Sequence, residues 1–149
     1  MDALSDIAGT IQLAVAPVFL LAGIGALLSV VTSRLGRAVD RARVLEERLL
    51  SGPSQADASR IRGELRILDR RVLLAQRSIA MCSLSALLVC FVVATLFVAE
   101  LADLNAAALI AVMFIGAMLI LIVGLSFFLA EVTFATRMLR VRAELFMKD

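Results

Sequence analysis

Histidine, tryptophan and tyrosine are absent from this 149-residue chain, and cysteine and proline occur twice each. The missing histidine and the scarce cysteine each close a class of function. Without histidine there is no Ser-His-Asp constellation and no imidazole to bind zinc or haem, and two thiols do not make a metal cluster. Cys82 and Cys90 stand eight residues apart, about 12 Å along a helix, too far to pair with each other. They are expected to be small packing residues buried in an apolar span. No glycine loop is built to cradle phosphate: "AGIGALLS" holds Gly23 and Gly25 but lacks the third glycine and the preceding strand of a dinucleotide fingerprint. Adjacent carboxylates such as Glu46 and Glu47 diverge on a helix. The chain is therefore expected not to be an enzyme and to carry no cofactor and no metal.

Charge is also missing from three long stretches, "IQLAVAPVFLLAGIGALLSVV" (residues 11–31), "SIAMCSLSALLVCFVVATLFVA" (78–99) and "AAALIAVMFIGAMLILIVGLSFFLA" (106–130). Each reaches or exceeds the roughly 20 apolar residues that cross a hydrocarbon core about 30 Å thick. Hydrophobic residues make up 62% of the chain and mean hydropathy is +1.00, as in a membrane protein. A secretory signal opens with basic residues; "MDALSDIAGT" carries Asp2 and Asp6 and none. The first block is therefore expected to be a permanent span. The expectation is an all-α integral membrane protein forming one domain over 1–149. Its spans lie near 8–33, 78–99 and 106–130, with a helical hairpin at 34–77 and a tail at 131–149.

What the chain does have is arginine, in two places. Eleven lie between residues 34 and 77, and Arg137, Arg140, Arg142 and Lys148 supply the other basic residues. The N-terminus and the turn "ELADLN" carry only acids: Asp2, Asp6, Glu100 and Asp103. Basic residues near span ends are retained on the cytoplasmic side. The pattern thus predicts an N-terminus outside, a cytoplasmic hairpin and a cytoplasmic C-terminus. Arg34, Arg37, Arg77 and Arg137 fall where spans leave the bilayer, at the depth of anionic lipid headgroups, which are expected partners. Six acids interleave with the hairpin's arginines and no aromatic accompanies them, so nucleic acid is not an expected partner.

The hairpin has its own periodicity. Leu28, Val31, Leu35, Ala38, Ala42, Leu45 and Leu49 follow three-four spacing, as do Ala58, Ile61, Leu65, Leu68, Val72, Ala75 and Ile79. Such spacing marks a coiled-coil seam. Between the two runs lies "SGPSQAD", in which Gly52 can end a helix, Pro53 blocks its continuation, and Ser54 with Asp57 forms an incomplete capping box. The first span is expected to run on into the hairpin and the hairpin to return into the second span. Arg34, Arg41 and Arg48 recur at heptad intervals on one stripe, and Asp57 and Glu64 on another.

Within the spans, Pro17 removes a backbone donor and predicts a kink that frees the Leu13 carbonyl. Gln12, in the outer part of the same span, needs a partner or water. Asp2, Asp6, Gln12, Pro17, Glu100 and Asp103 are the candidate residues of an outer mouth. Ala22, Gly23, Gly25, Ala26 and Ser29 thin the first span, and the Ala22 to Ala26 spacing is a small-xxx-small surface, with Gly116 and Gly124 in a similar role in the third. Glu131 follows the third span and is expected to pair with Arg34, Arg77 or Arg137.

Two stretches, "PVFLLAGIGALLSVVTSRLGRAVDRARVLE" and "LDRRVLLAQRSIAMCSLSALLVC", resemble the bacterial membrane-protein family catalogued as domain of unknown function 2721. The most specific parts are residues 17–25 and the cluster Arg34, Arg37, Asp40, Arg41, Arg43. The resemblance covers nearly the whole chain and implies a small bacterial inner-membrane protein with three spans; it supplies no catalytic or binding residues.

Two functions are expected to compete. The first is a homo-oligomeric pore, with first spans around the axis, an acidic outer mouth and an arginine-rich cytoplasmic collar. The second is a non-conducting structural or regulatory scaffold whose hairpin docks a cytoplasmic partner or copies of itself.

Overall fold

The computed structural model describes residues 2–102 and 104–146, with the side chains of 2–8, 10, 13 and 134–146 excepted. The described residues form three long helices: α1, Asp2–Leu50; α2, Gln55–Leu101; and α3, Ala107–Phe146. All three are long and apolar enough to cross a membrane, so the chain is an all-helical membrane protein. No strand occurs among the described residues.

The break between α1 and α2 falls where the turn chemistry demands. After Leu50, the Ser51 amide still bonds back to the Glu47 carbonyl at 3.1 Å, and Gly52 then takes a φ of +75°, a left-handed conformation that favours glycine. Ser54 caps α2: its Oγ accepts from the Asp57 amide at 3.2 Å and donates to Asp57 Oδ2 at 2.6 Å. The aspartate thus secures the cap hydroxyl in place of the reciprocal bond that a glutamate makes in a full capping box. Pro17 does not end α1, which is continuous on both sides of it. The expected tail continues α3 to Phe146, because no proline or glycine follows Gly124 to stop it.

Two compact units divide the chain. One comprises residues up to Ser29 with Ala80–Gly124, the other Val30–Ile79 with Leu125 onward. In the first, the buried positions include Ile24 on α1, Cys82, Ser85, Val89 and Val92 on α2, and Ala117 on α3. Gly124 lets α3 approach α2 closely. A Cβ built there would lie 2.8 Å from Cys82 Sγ, 3.1 Å from Met81 Cβ and 3.2 Å from the Cys82 amide nitrogen. Ser85 adds a hydrogen bond from its Oγ to the Ala117 carbonyl at 2.8 Å.

The second unit contains the hairpin. Its core is Ala38, Leu45 and Leu68, with Ala42, Ile61, Leu65 and Val72 packed against it. These are seam residues of the sequence pattern. Burying Leu45 and Leu68 contributes roughly 1.5–3 kcal/mol each, while the alanines contribute closeness more than area.

Buried positions recur every seven residues on each helix. They are Pro17, Ile24, Val31, Ala38 and Leu45 on α1, then Leu68, Ala75, Cys82 and Val89, with Ser78, Ser85, Val92 and Ala99, on α2. On α3 they are Ala117, Gly124 and Glu131. A seven-residue repeat keeps one face of a helix turned to its neighbours over many turns. The heptad expected of the hairpin alone thus runs through the apolar spans as well.

Two expectations are corrected. Cys90 is exposed and only Cys82 is buried, since Cys90 is one position past the buried Val89 and turns away from the seam. The two glycines of α3 also differ. Nothing lies within 4 Å of a Cβ at Gly116, whereas Gly124 is in close contact.

Candidate functional site

Among the described residues, the buried charged side chain is that of Glu131. It is 3% exposed and occupies the position on α3 seven residues after Gly124, in the row that faces the other helices. A carboxylate removed from water costs several kcal/mol unless it is paired and hydrogen-bonded. Two arginines meet that requirement. Arg34 Nε donates to Oε2 at 3.1 Å, and Arg71 donates to Oε1 through Nε at 3.2 Å and Nη2 at 2.9 Å. One carboxylate on α3 therefore ties α1 to α2 at a single level. Arg34 also lies over the Phe128 ring, 5.9 Å from its centroid, one turn before Glu131 on α3. The ring's negative face supports a cation that one carboxylate shares with another.

Arg34 was an expected partner of Glu131; Arg71 was not. Arg77, also expected, is exposed and makes no ion pair among the described residues, and the side chain of Arg137 lies outside those described. Arg71 is nevertheless placed by the register of the packed helix. It stands seven residues before Ser78, at the head of the row Ser78, Ser85, Val92, Ala99 that α2 buries. An arginine in a buried row predicts a buried carboxylate to receive it.

Farther along the hairpin, Arg41 donates to Glu64 Oε1 from Nε at 3.0 Å and from Nη2 at 2.8 Å. The heptad stripes of arginine on α1 and acid on α2 thus meet within the chain at this level. Two cavities flank the hairpin. One, about 240 Å³, is bounded by Arg34, Arg37, Arg41 and Arg71 with Ala38 and Leu68. The other, about 530 Å³, has Arg43 and Arg66 balanced by Glu46 and Asp69 on its walls.

Of the candidate mouth residues, Gln12, Pro17 and Glu100 have described side chains. Gln12 is exposed on α1. Pro17 is buried and, with Glu100, lines a cavity of about 560 Å³ in the first unit whose walls are mainly apolar, including Val92, Leu96 and Phe114. Asp103 and the side chains of Asp2 and Asp6 lie outside the described residues. The small residues Ala22, Gly23, Gly25, Ala26 and Ser29 are all exposed, and nothing lies within 4 Å of a Cβ at either glycine. Among the described residues, every buried side-chain nitrogen and oxygen has a hydrogen-bond partner. In the same set, no group of three His, Cys, Asp or Glu side chains is placed to share a metal ion.

A family profile described as "Protein of unknown function (DUF2721)" matches residues 14–141. No curated protein and no solved structure matches the chain. The matched stretch includes Arg34, Arg71 and Glu131, and reaches well past the third apolar block.

Proposed function

The chain belongs to the DUF2721 family, and from that premise we propose that it is a non-conducting, homo-oligomeric membrane scaffold with no catalytic role. Three spans anchor it in a bacterial cytoplasmic membrane, with the N-terminus outside and both the hairpin and the C-terminus in the cytoplasm, following the distribution of arginine. The hairpin is the working surface, and its base is held by Glu131.

The observation that carries this reading is the satisfied polar interior of the protomer. A water path through a single protomer needs polar groups free to receive water or ions. Here the buried Ser85 bonds to the Ala117 carbonyl and Glu131 is shared by two arginines. No buried side-chain polar atom among the described residues is left over. Such an arrangement supports a fixed framework. Self-association has separate support in the outward face of α1, where Ala22 and Ala26 are one turn apart and exposed. Small residues at that spacing allow a second helix to approach closely, and close packing drives helix association in lipid.

A pore is the second reading, favoured by the exposure of Gln12 on the same helix. Several α1 helices around an axis would bring their glutamines together.

One preparation tests both. Light scattering of the protein in nanodiscs, with lipid mass subtracted, is expected to give a mass of two or more protomers. Replacing Ala22 and Ala26 together by leucine is expected to reduce it to one. The same protein in liposomes is expected to pass ions no faster than protein-free liposomes. A single-protomer mass in the unaltered protein removes self-assembly, and ion flux that changes on Gln12→Leu substitution replaces the scaffold by the pore.

A further inference from the structure

The two flanks of the hairpin differ in charge. On the larger cavity, two arginines face two acids. On the smaller one, four arginines converge, and the carboxylates bonded to them are Glu131 and Glu64. Four guanidiniums against two carboxylates leave two positive charges uncompensated around a space of about 240 Å³.

The bonds that are made also leave donors unused. A guanidinium carries five N–H donors. Arg34 commits only Nε to Glu131, so both of its Nη groups are without a bond among the described residues. Arg71 and Arg41 each commit Nε and Nη2 and leave Nη1. Arg37 makes no ion pair with any described residue. It stands three residues after Arg34 and four before Arg41, which places all three on one face of α1, with Arg71 contributed by α2. The carboxylates therefore orient the guanidiniums without consuming their capacity to donate.

We propose that this cavity is a binding site for a phosphate group carrying uncompensated negative charge. Planar guanidinium forks match the oxygens of phosphate, and several on one cavity favour an anion with several acceptor oxygens over a single carboxylate. Depth selects the source. Counting about 1.5 Å per residue from the end of the first apolar block, Arg34 lies about 5 Å and Arg37 about 9 Å beyond Val31. The headgroup layer adds about 5–8 Å on each side of the hydrocarbon, so Arg34 lies within it and Arg37, just past its edge, reaches back to the lipid phosphates along its flexible stem. The site takes the headgroup of an anionic phospholipid, and it stands whether or not the scaffold reading holds.

The test uses the full chain in mild detergent, with thermal loss of helicity followed by circular dichroism. The ligands are dihexanoyl phosphatidylglycerol, the zwitterionic dihexanoyl phosphatidylcholine and inorganic phosphate, each titrated separately. Phosphatidylglycerol is expected to raise the unfolding midpoint more than phosphatidylcholine at equal concentration. Arg37→Gln, which breaks no ion pair among the described residues, is expected to raise the half-saturating concentration roughly tenfold. Arg66→Gln, on the opposite flank, is expected to leave it within about twofold. If inorganic phosphate alone gives the same Arg37-dependent shift, the phosphate site holds and its lipid source is overturned. If neither anion shifts the midpoint, or Arg37→Gln responds like the unaltered protein, or Arg66→Gln loses as much, the site itself is overturned.

Discussion

In the unit that contains Ala80–Gly124, α2 and α3 meet through a glycine, a cysteine and a serine; in the unit that contains the hairpin, they meet through an arginine and a buried carboxylate. Both contacts use the same heptad rows, and Gly124 and Glu131 are successive members of one of them. The difference follows the solvent each contact is built for. Lipid tails are as apolar as the side chains, so helices there gain little from burying leucine and associate through close van der Waals contact and an occasional hydrogen bond. Where a span ends, arginines reach headgroups and water, and a shared carboxylate specifies which helix faces which. The molecule changes its means of attachment within seven residues of α3.

The largest break in this comparison is expected at Glu131. Replacing it by glutamine keeps the shape but leaves Arg34 and Arg71 without a counter-charge. Removing one partner of a buried ion group costs about 3–5 kcal/mol. Because the two arginine side chains remain 28% and 25% exposed, solvent recovers part of this, and a loss of about 2–3 kcal/mol is expected. Thermal melts in nanodiscs followed by circular dichroism measure it. If the carboxylate acts by specifying contacts more than by net attraction, the triple change Arg34→Met, Arg71→Met, Glu131→Leu is expected to recover most of the loss, as apolar replacements of buried ion groups often do. A triple variant as unstable as Glu131→Gln would show instead that the attraction itself holds the helices.

The apolar side of the comparison is sharpened by two glycines on one helix. Gly124→Ala places a methyl 2.8 Å from Cys82 Sγ and 3.2 Å from a backbone nitrogen, so α2 and α3 must separate. Overpacking of this kind is expected to cost about 1–3 kcal/mol. Adding Cys82→Ala removes the nearest atom but not the backbone or Met81, and is expected to restore only part. Gly116→Ala meets nothing within 4 Å and is expected to be neutral or to stabilise by up to about 1 kcal/mol through helix propensity. The same melts on the three variants check the order, and equal losses at both glycines would show that propensity, not approach distance, decides.

These two sites differ in how far the sequence discloses them. Three spans, the turn at Gly52 and the hairpin seam were legible because each has a contrast: apolar against charged, or a breaker between periodic runs. The heptad rows inside the spans were not, since nearly every residue there is apolar and one face reads like another. Gly124 could not be told from Gly116 for the same reason. Glu131 was singled out by its charge and Arg34 by its depth, yet Arg71 was missed among eleven arginines. It stands one heptad before the Ser78, Ser85, Val92 row, which shows only once the packing is known. The converging arginines of the smaller cavity needed the hairpin's register, which sequence spacing suggested and the packing of Ala38 against Leu68 fixes.

The smallest effect is expected at Arg41 and Glu64, where the hairpin uses the same chemistry as the Glu131 cluster with water present. The pair is close, with Arg41 Nη2 at 2.8 Å from Glu64 Oε1, but its side chains are 45% and 35% exposed. Solvent screening reduces such pairs to about 0.2–1 kcal/mol. Glu64→Gln is expected to cost no more than that, and the cost is expected to vanish as salt is raised toward about 1 M, where the screening length falls to about 3 Å. The Glu131→Gln loss, from a carboxylate shielded by protein, is expected to persist in the same salt series. Running both variants side by side in low and high salt therefore separates attraction across water from attraction inside the helical packing. A Glu64 effect as large and as salt-resistant as that of Glu131 would mean that the hairpin excludes solvent along its length, and that its ion pairs, not its leucines, hold α1 against α2.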